Sequence, residues 1–208
     1  SLADCQNCQA GKYLPAEGSD SADDCILCQQ GKYSDVPGLS QDGCIDCKAG
    51  KYSDLVGNDA EEDCIQCVNG KFSPSIGAVS VTTCKDCAAG KYYNGQGNDE
   101  EADCVLCGLG KYSSELAATS EDACIKCAAG KFSDVEGSDE EADCMLCGKG
   151  KYSSSEGAEA SDTCIDCLPG KYAETEGNGA ESECVECERG KYSKMTGSTS
   201  YSCLDCAA

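Results

Sequence analysis

Cysteine is the residue whose number and spacing in this chain could do chemistry. The 208 residues include 22 Cys, arranged as Cys-x-x-Cys pairs that begin at Cys5, Cys25, Cys44, Cys64, Cys84, Cys104, Cys124, Cys144, Cys164, Cys184 and Cys203. Successive pairs start 20 residues apart, with 19 at two places. Paired thiols have three readings: zinc ligation, a dithiol redox centre, or disulfides. Cys25, Cys28, Cys44 and Cys47 alone would match a zinc ribbon. Eleven pairs do not divide into fours, however, and their uniform pitch lacks any alternation between within-site and between-site lengths. A redox centre of the thioredoxin kind needs a βαβ setting, and no apolar 3.6 period survives between the glycines to supply a helix. Disulfides in an oxidising compartment are favoured, with a zinc-binding array as an alternative.

The other residue types offer no catalytic constellation. The chain has no His, so no Ser or Cys stands beside an obvious base. The repeated Gly-Lys resembles part of a phosphate loop, but an aromatic follows each of the ten lysines where Ser or Thr would be required. These residues give no sign of an enzyme.

Composition then limits how the cysteines can be positioned. Hydrophobic residues reach 40% only with Ala and Cys counted, aromatics are 6%, and Trp is missing. A shared interior for a chain this long cannot be built from that set, so cross-links must replace it. The net charge of −22 argues against nucleic acid and anionic membrane surfaces as partners. No stretch approaches the 18 or so apolar residues of a membrane span.

The positioning elements are repeats. Each unit reads C-x-x-C-x-x-G-K-[YF], four residues, Gly, then a polar stretch. Gly11, Gly31, Gly50, Gly70, Gly90, Gly110, Gly130, Gly150, Gly170 and Gly190 sit three residues after the second Cys, where positive φ or a close approach is expected. A second Gly follows each aromatic by five residues, except at Ala117. An aliphatic usually follows the first Cys (Ile26, Ile45, Ile65, Val105, Ile125, Met145, Ile165, Val185, Leu204), and stacking is expected from it and the aromatic. Short strands are expected around Lys-Tyr-Ser and Cys-Ile-x-Cys. A weaker period of 40 overlies these columns: the stretches before Cys25, Cys64, Cys104 and Cys144 are acidic, while those before Cys84, Cys164 and Cys203 are rich in Ser and Thr. Alternate repeats are therefore expected to expose different faces.

The unit seen as Cys44-Ile45-Asp46-Cys47-Lys48-Ala49-Gly50-Lys51-Tyr52-Ser53 resembles the ephrin-receptor-like cysteine-rich repeat and is similar to the small module of tumour-necrosis-factor-receptor domains. The resemblance covers the whole chain and implies a disulfide-rich repeat solenoid, an elongated rod of about ten 20-residue units with short β-strands and little or no helix. It also implies that the second Cys of each pair bonds the first Cys of the next. The implied bridges are Cys8 with Cys25, Cys28 with Cys44, Cys47 with Cys64, Cys67 with Cys84, and Cys87 with Cys104. They continue as Cys107 with Cys124, Cys127 with Cys144, Cys147 with Cys164, Cys167 with Cys184, and Cys187 with Cys203. Cys5 and Cys206 are left for inter-repeat or inter-subunit bonds, so residues 1–208 are expected to be one continuous array, a window on a longer one or a subunit whose ends meet. Large surface or matrix proteins are the implied setting.

Several further expectations concern the surface. Asn58 to Asp63, Asn98 to Asp103 and Ser138 to Asp143 could attract calcium, although none has dedicated loop spacing and solvated acidic faces are the simpler reading; no cofactor is otherwise expected. No Asn lies in an N-glycosylation sequon. Ser34, Ser53, Ser113, Ser133, Ser153, Thr196, Ser198 and Thr199 are candidates for O-glycans. The lysine column is expected to face carboxylates of the next repeat or of a neighbouring chain. Together these features point to an extracellular stalk, surface fibre or filament whose partners are copies of itself or other coat and matrix proteins. A ligand-binding or adhesion ectodomain is the alternative.

Overall fold

The computed structural model describes residues 7–19 and 21–206. They form two compact units, the described residues of Ser1–Cys87 with Tyr93–Cys104, and those of Ala88–Tyr92 with Val105–Ala208.

The first unit holds four two-stranded antiparallel hairpins, among them Lys32–Tyr33 with Ile45–Asp46 and Lys51–Tyr52 with Ile65–Gln66. The second holds six, from Lys91–Tyr92 with Val105–Leu106 to Lys191–Tyr192 with Leu204–Asp205. In each hairpin the Lys-aromatic strand of one repeat pairs with the two residues inside the Cys pair of the next. Two-residue strands cannot stand alone in water. They persist here because every repeat is tied to its successor by further backbone bonds.

The junction between the repeats of Cys44 and Cys64 shows the scheme in the first unit. The Gly50 N–H donates to the Ser73 carbonyl (2.7 Å), and the Gly50 carbonyl accepts from the Cys67 N–H (2.8 Å). The Ser53 N–H donates to the Ala78 carbonyl (3.0 Å), and the Gly77 N–H to the Cys47 carbonyl (2.8 Å). The same four bonds recur in the second unit around Gly130, Cys147, Ser133 and Gly157. Gly50 has φ of 78°, and a Cβ built on it would lie 2.1 Å from the carbonyl oxygen of Gly97, which belongs to the repeat after next. Glycine is thus required twice over, for its backbone angle and for a contact reaching two repeats along.

Among the described residues, helical structure is confined to single 3-10 turns before first cysteines, such as Glu61–Asp63 and Glu141–Asp143. The acidic stretches cap them. Asp63 accepts from the backbone N–H groups of Asp59 and Ala60 (3.0 and 3.1 Å), and Asp143 from those of Asp139 and Glu140 (2.9 and 3.2 Å). At these two turns the backbone donors that open the turn are satisfied in this way.

The core differs from the expected one. Ile45, Ile65, Val105, Ile125, Met145 and Val185 are all exposed, as are Ile26, Ile165 and Leu204, so the aliphatic column does not stack inside. The interior consists of the bridged cysteines, the second of most pairs the more deeply buried, with Ser34, Ser53, Ser73, Ala118 and Asn98 beside them. Aromatics pack on bridges: Tyr33 lies with Cys47 and Cys64, and Phe132 with Cys147, Ala158 and Cys164. A ring from one repeat therefore covers the bridge that joins the next two, a contact polarizable sulfur favours.

Candidate functional site

The cysteine column is the natural site to build from. The structure joins Cys8 to Cys25, Cys28 to Cys44, Cys47 to Cys64, Cys67 to Cys84 and Cys87 to Cys104. It also joins Cys107 to Cys124, Cys127 to Cys144, Cys147 to Cys164, Cys167 to Cys184 and Cys187 to Cys203. Those are the pairs the resemblance implies. Cα atoms across the bridges are 5.6–5.9 Å apart, within the range of an ordinary disulfide. Cys206 is a free, exposed thiol, and Cys5 lies outside the described residues. With twenty sulfurs bridged, a zinc array has only one thiol left among the described residues.

The earlier cysteine of a bridge is held by glycines of the neighbouring repeats. Cys47 is held between a hydrogen bond to its carbonyl from Gly77 and one from its own N–H to Gly31, both 2.8 Å, and is fully buried. The hairpin then carries the first cysteine of the next pair, Cys64, up to it.

Buried hydroxyls and amides complete this interior and correct an expectation. Ser34, Ser53, Ser113, Ser133 and Ser153 are each 1% exposed and Ser198 is 3% exposed, so none has room for an O-glycan. Their hydroxyls are used locally: Ser133 donates to the Val135 carbonyl (3.2 Å) and meets Ser138 at 3.1 Å. Thr196 is exposed and Thr199 half-buried.

Asn58, 6% exposed, donates to the carbonyl of Lys32 in the preceding repeat (2.9 Å) and to Ser53 Oγ (3.0 Å). Asn58→Ala leaves that carbonyl without this donor and is expected to cost about 1–3 kcal/mol. Amide exchange should accelerate in the hairpin of Lys32–Tyr33; an unchanged rate would mean the side chain is dispensable.

The lysine column is engaged within the chain. Lys111, Lys131 and Lys171 pair with Glu121, Glu141 and Glu181 ten residues on, at 2.5, 2.7 and 3.2 Å. Lys151 reaches Asp166 across the hairpin at 2.8 Å, and Lys71 pairs with Asp86 in the same way. Glu61 takes both Lys48 (3.0 Å) and Lys51 (3.2 Å). The Lys48 and Lys51 ammonium groups hold the Glu61 carboxyl below its usual range, and the Glu61 carboxylate raises Lys48. Lys111 lowers Glu121 and is raised by it, and Lys131 lowers Glu141.

A depressed carboxyl stabilises the folded form above its ordinary value of 4.5, and that contribution disappears as pH falls through the depressed value. The difference in stability between the natural chain and Glu61→Gln should therefore be full at neutral pH and shrink below about pH 4.5. It should also be small and weakened by salt, because the pair is solvent-exposed. Denaturant titrations at pH 7 and pH 3 test this; a difference that persists at pH 3 contradicts it.

Residues 38–84 and 90–144 match the family described as tyrosine-protein kinase ephrin type A/B receptor-like. The chain is a tandem array of ephrin-receptor-like cysteine-rich repeats. No curated protein matches it as a relative. The ephrin-receptor-like repeats and their disulfides are those of an extracellular module. Among the described residues no helix is long and apolar enough to cross a membrane.

Proposed function

We propose that the chain is an extracellular structural element: a stalk, surface fibre or filament segment held by stacked, disulfide-linked repeats, with no catalytic role. The observation that supports this reading is the identity of the junctions. Gly50, Cys67, Ser53 and Gly77 make the same four backbone bonds as Gly130, Cys147, Ser133 and Gly157, and a bridge accompanies each set. Such a unit can be added indefinitely, because each repeat needs only its near neighbours. Partners on this reading are further copies or other coat and matrix proteins. Because most lysines of the Gly-Lys column are paired within the chain, contacts between chains fall mainly to the exposed aliphatics and to polar turns. Thr196 keeps room for a glycan, and the acidic turns attract cations such as calcium loosely.

Antibody labelling of intact cells, viewed by electron microscopy, tests the reading. Labels along a surface coat or appendage are expected, and labels confined to the cell interior would contradict it. The exposed Ile45, Ile65 and Ile125 favour a second reading, an adhesion or receptor ectodomain. Tight one-to-one binding of a protein by the monomeric array, lost in Ile125→Asp, would support that one instead.

A further inference from the structure

We propose that the bridges carry tension past the loops, so that the oxidised chain acts as a short covalent strap whose greatest length does not depend on its being folded. The proposal deepens the structural reading above and rests on it for its biological use, but its mechanics follow from connectivity.

The bridges run in strict succession, from Cys8–Cys25 and Cys28–Cys44 to Cys187–Cys203, and no loop encloses or overlaps another. A pull along the chain enters each loop at one cysteine and leaves at the other through the two sulfurs. The Cα atoms there are less than 6 Å apart, while the loop between them is 16 or 17 residues long in sequence. Only the two residues inside each Cys pair, such as Ile65 and Gln66 between Cys64 and Cys67, lie on the loaded path.

Backbone geometry sets the limit. At about 3.4 Å per residue, each connector between bridges stretches to about 10 Å, so the path from Cys8 to Cys203 can reach about 150 Å. The same segment without bridges would reach about 650 Å. The Lys-aromatic strands and the glycine column sit inside the loops and bear no tension. The aliphatic column lies on the connectors. An array with so little apolar core gains in this way a length limit that hydrogen bonds and packing do not have to supply.

The test holds the full chain by tags at its two ends in optical tweezers and ramps the force, first without and then with dithiothreitol. Each reduction takes two electrons and two protons from one dithiothreitol, which closes to its cyclic disulfide and leaves two thiols on the chain. Without reductant the segment between Cys8 and Cys203 should stop lengthening at about 150 Å, beyond the fixed contribution of tails and tags. With reductant it should lengthen in steps of about 50 Å, one per bridge. Extension well past the limit without reductant overturns the strap, since bridges within each Cys-x-x-Cys would leave the chain nearly full length. Steps of unequal size overturn it too, because nested bridges would produce them. Repeating the ramp in guanidinium should leave the limit unchanged, and a limit that rises there would show that folding, not connectivity, sets it. These lengths do not depend on where the protein resides, so failure of the stalk reading in antibody labelling is a separate result.

Discussion

Reduction of the bridges should unfold the array at room temperature. Each bridge closes a loop of 16 or 17 residues, worth about 3 kcal/mol in the chain-entropy model, and an ordinary domain is stable by about 5–15 kcal/mol in total. Nothing else in the molecule can take over. Ile45, Ile65, Ile125 and Val185 are exposed, so their transfer from water contributes little, and the bridged cysteines make up most of the apolar interior. Two-residue hairpins then lose both their cross-link and the ring that packs on it. Amide exchange before and after complete reduction, with reduction verified by mass, measures the effect. Protection that survives full reduction would mean that backbone pairing and not the bridges holds the repeats. Removing one bridge as Cys107→Ser with Cys124→Ser should cost about 3 kcal/mol and act locally, because a repeat array couples mainly near neighbours.

A single added methyl should be nearly as damaging at one glycine column. Gly130 has φ of 80°, and a Cβ there would stand 2.1 Å from the Gly177 carbonyl oxygen, which is backbone and cannot swing aside. Left-handed backbone costs a residue with Cβ about 1–2 kcal/mol, and overpacking adds about 1–3 kcal/mol, so Gly130→Ala should lose about 2–5 kcal/mol. Gly170 separates the two contributions. It has φ of 83° but nothing within 4 Å of its would-be Cβ, so Gly170→Ala should show the backbone cost alone. Local exchange rates in the repeats carrying each substitution give the comparison. Equal losses at the two positions would show that the contact reaching two repeats along contributes nothing.

What the sequence made legible, and what it did not, follows from the length of each local signal. Cys, Gly and the aromatic recur at a fixed pitch, and together with the family resemblance they lead to the bridges, the hairpins and the near absence of helix. A two-residue strand has no alternation from which to tell inside from outside, which is why Ile45 and Ile65 read as packing residues and are instead on the surface. The hydroxyl of Ser53 or Ser133 reads as a surface group by type. Its recurrence after the aromatic in seven of the ten repeats was the available sign of burial, since solvent-facing positions drift more freely. The lysine pairs could be anticipated only as a choice between the next repeat and another chain. Lys71 with Asp86 and Lys151 with Asp166 take the first option, whereas Lys111 with Glu121 and Lys131 with Glu141 pair inside their own repeat, which neither expectation included. The contact of Gly50 with Gly97 depends on how repeats stack in space, for which no spacing rule exists in the chain itself.

The bridge series is the claim on which all of this depends, and its most direct test is the intact mass of natively purified protein exposed to a thiol alkylator before and after reduction. Ten bridges predict a deficit of about two hydrogens each, resistance to alkylation at the bridged cysteines until reduction, and peptides that link Cys47 to Cys64 and Cys127 to Cys144 after non-reducing digestion. Wholesale alkylation after a chelator alone would instead show free thiolates holding metal. That result would contradict the disulfide array, the strap built from it and the extracellular role proposed for it.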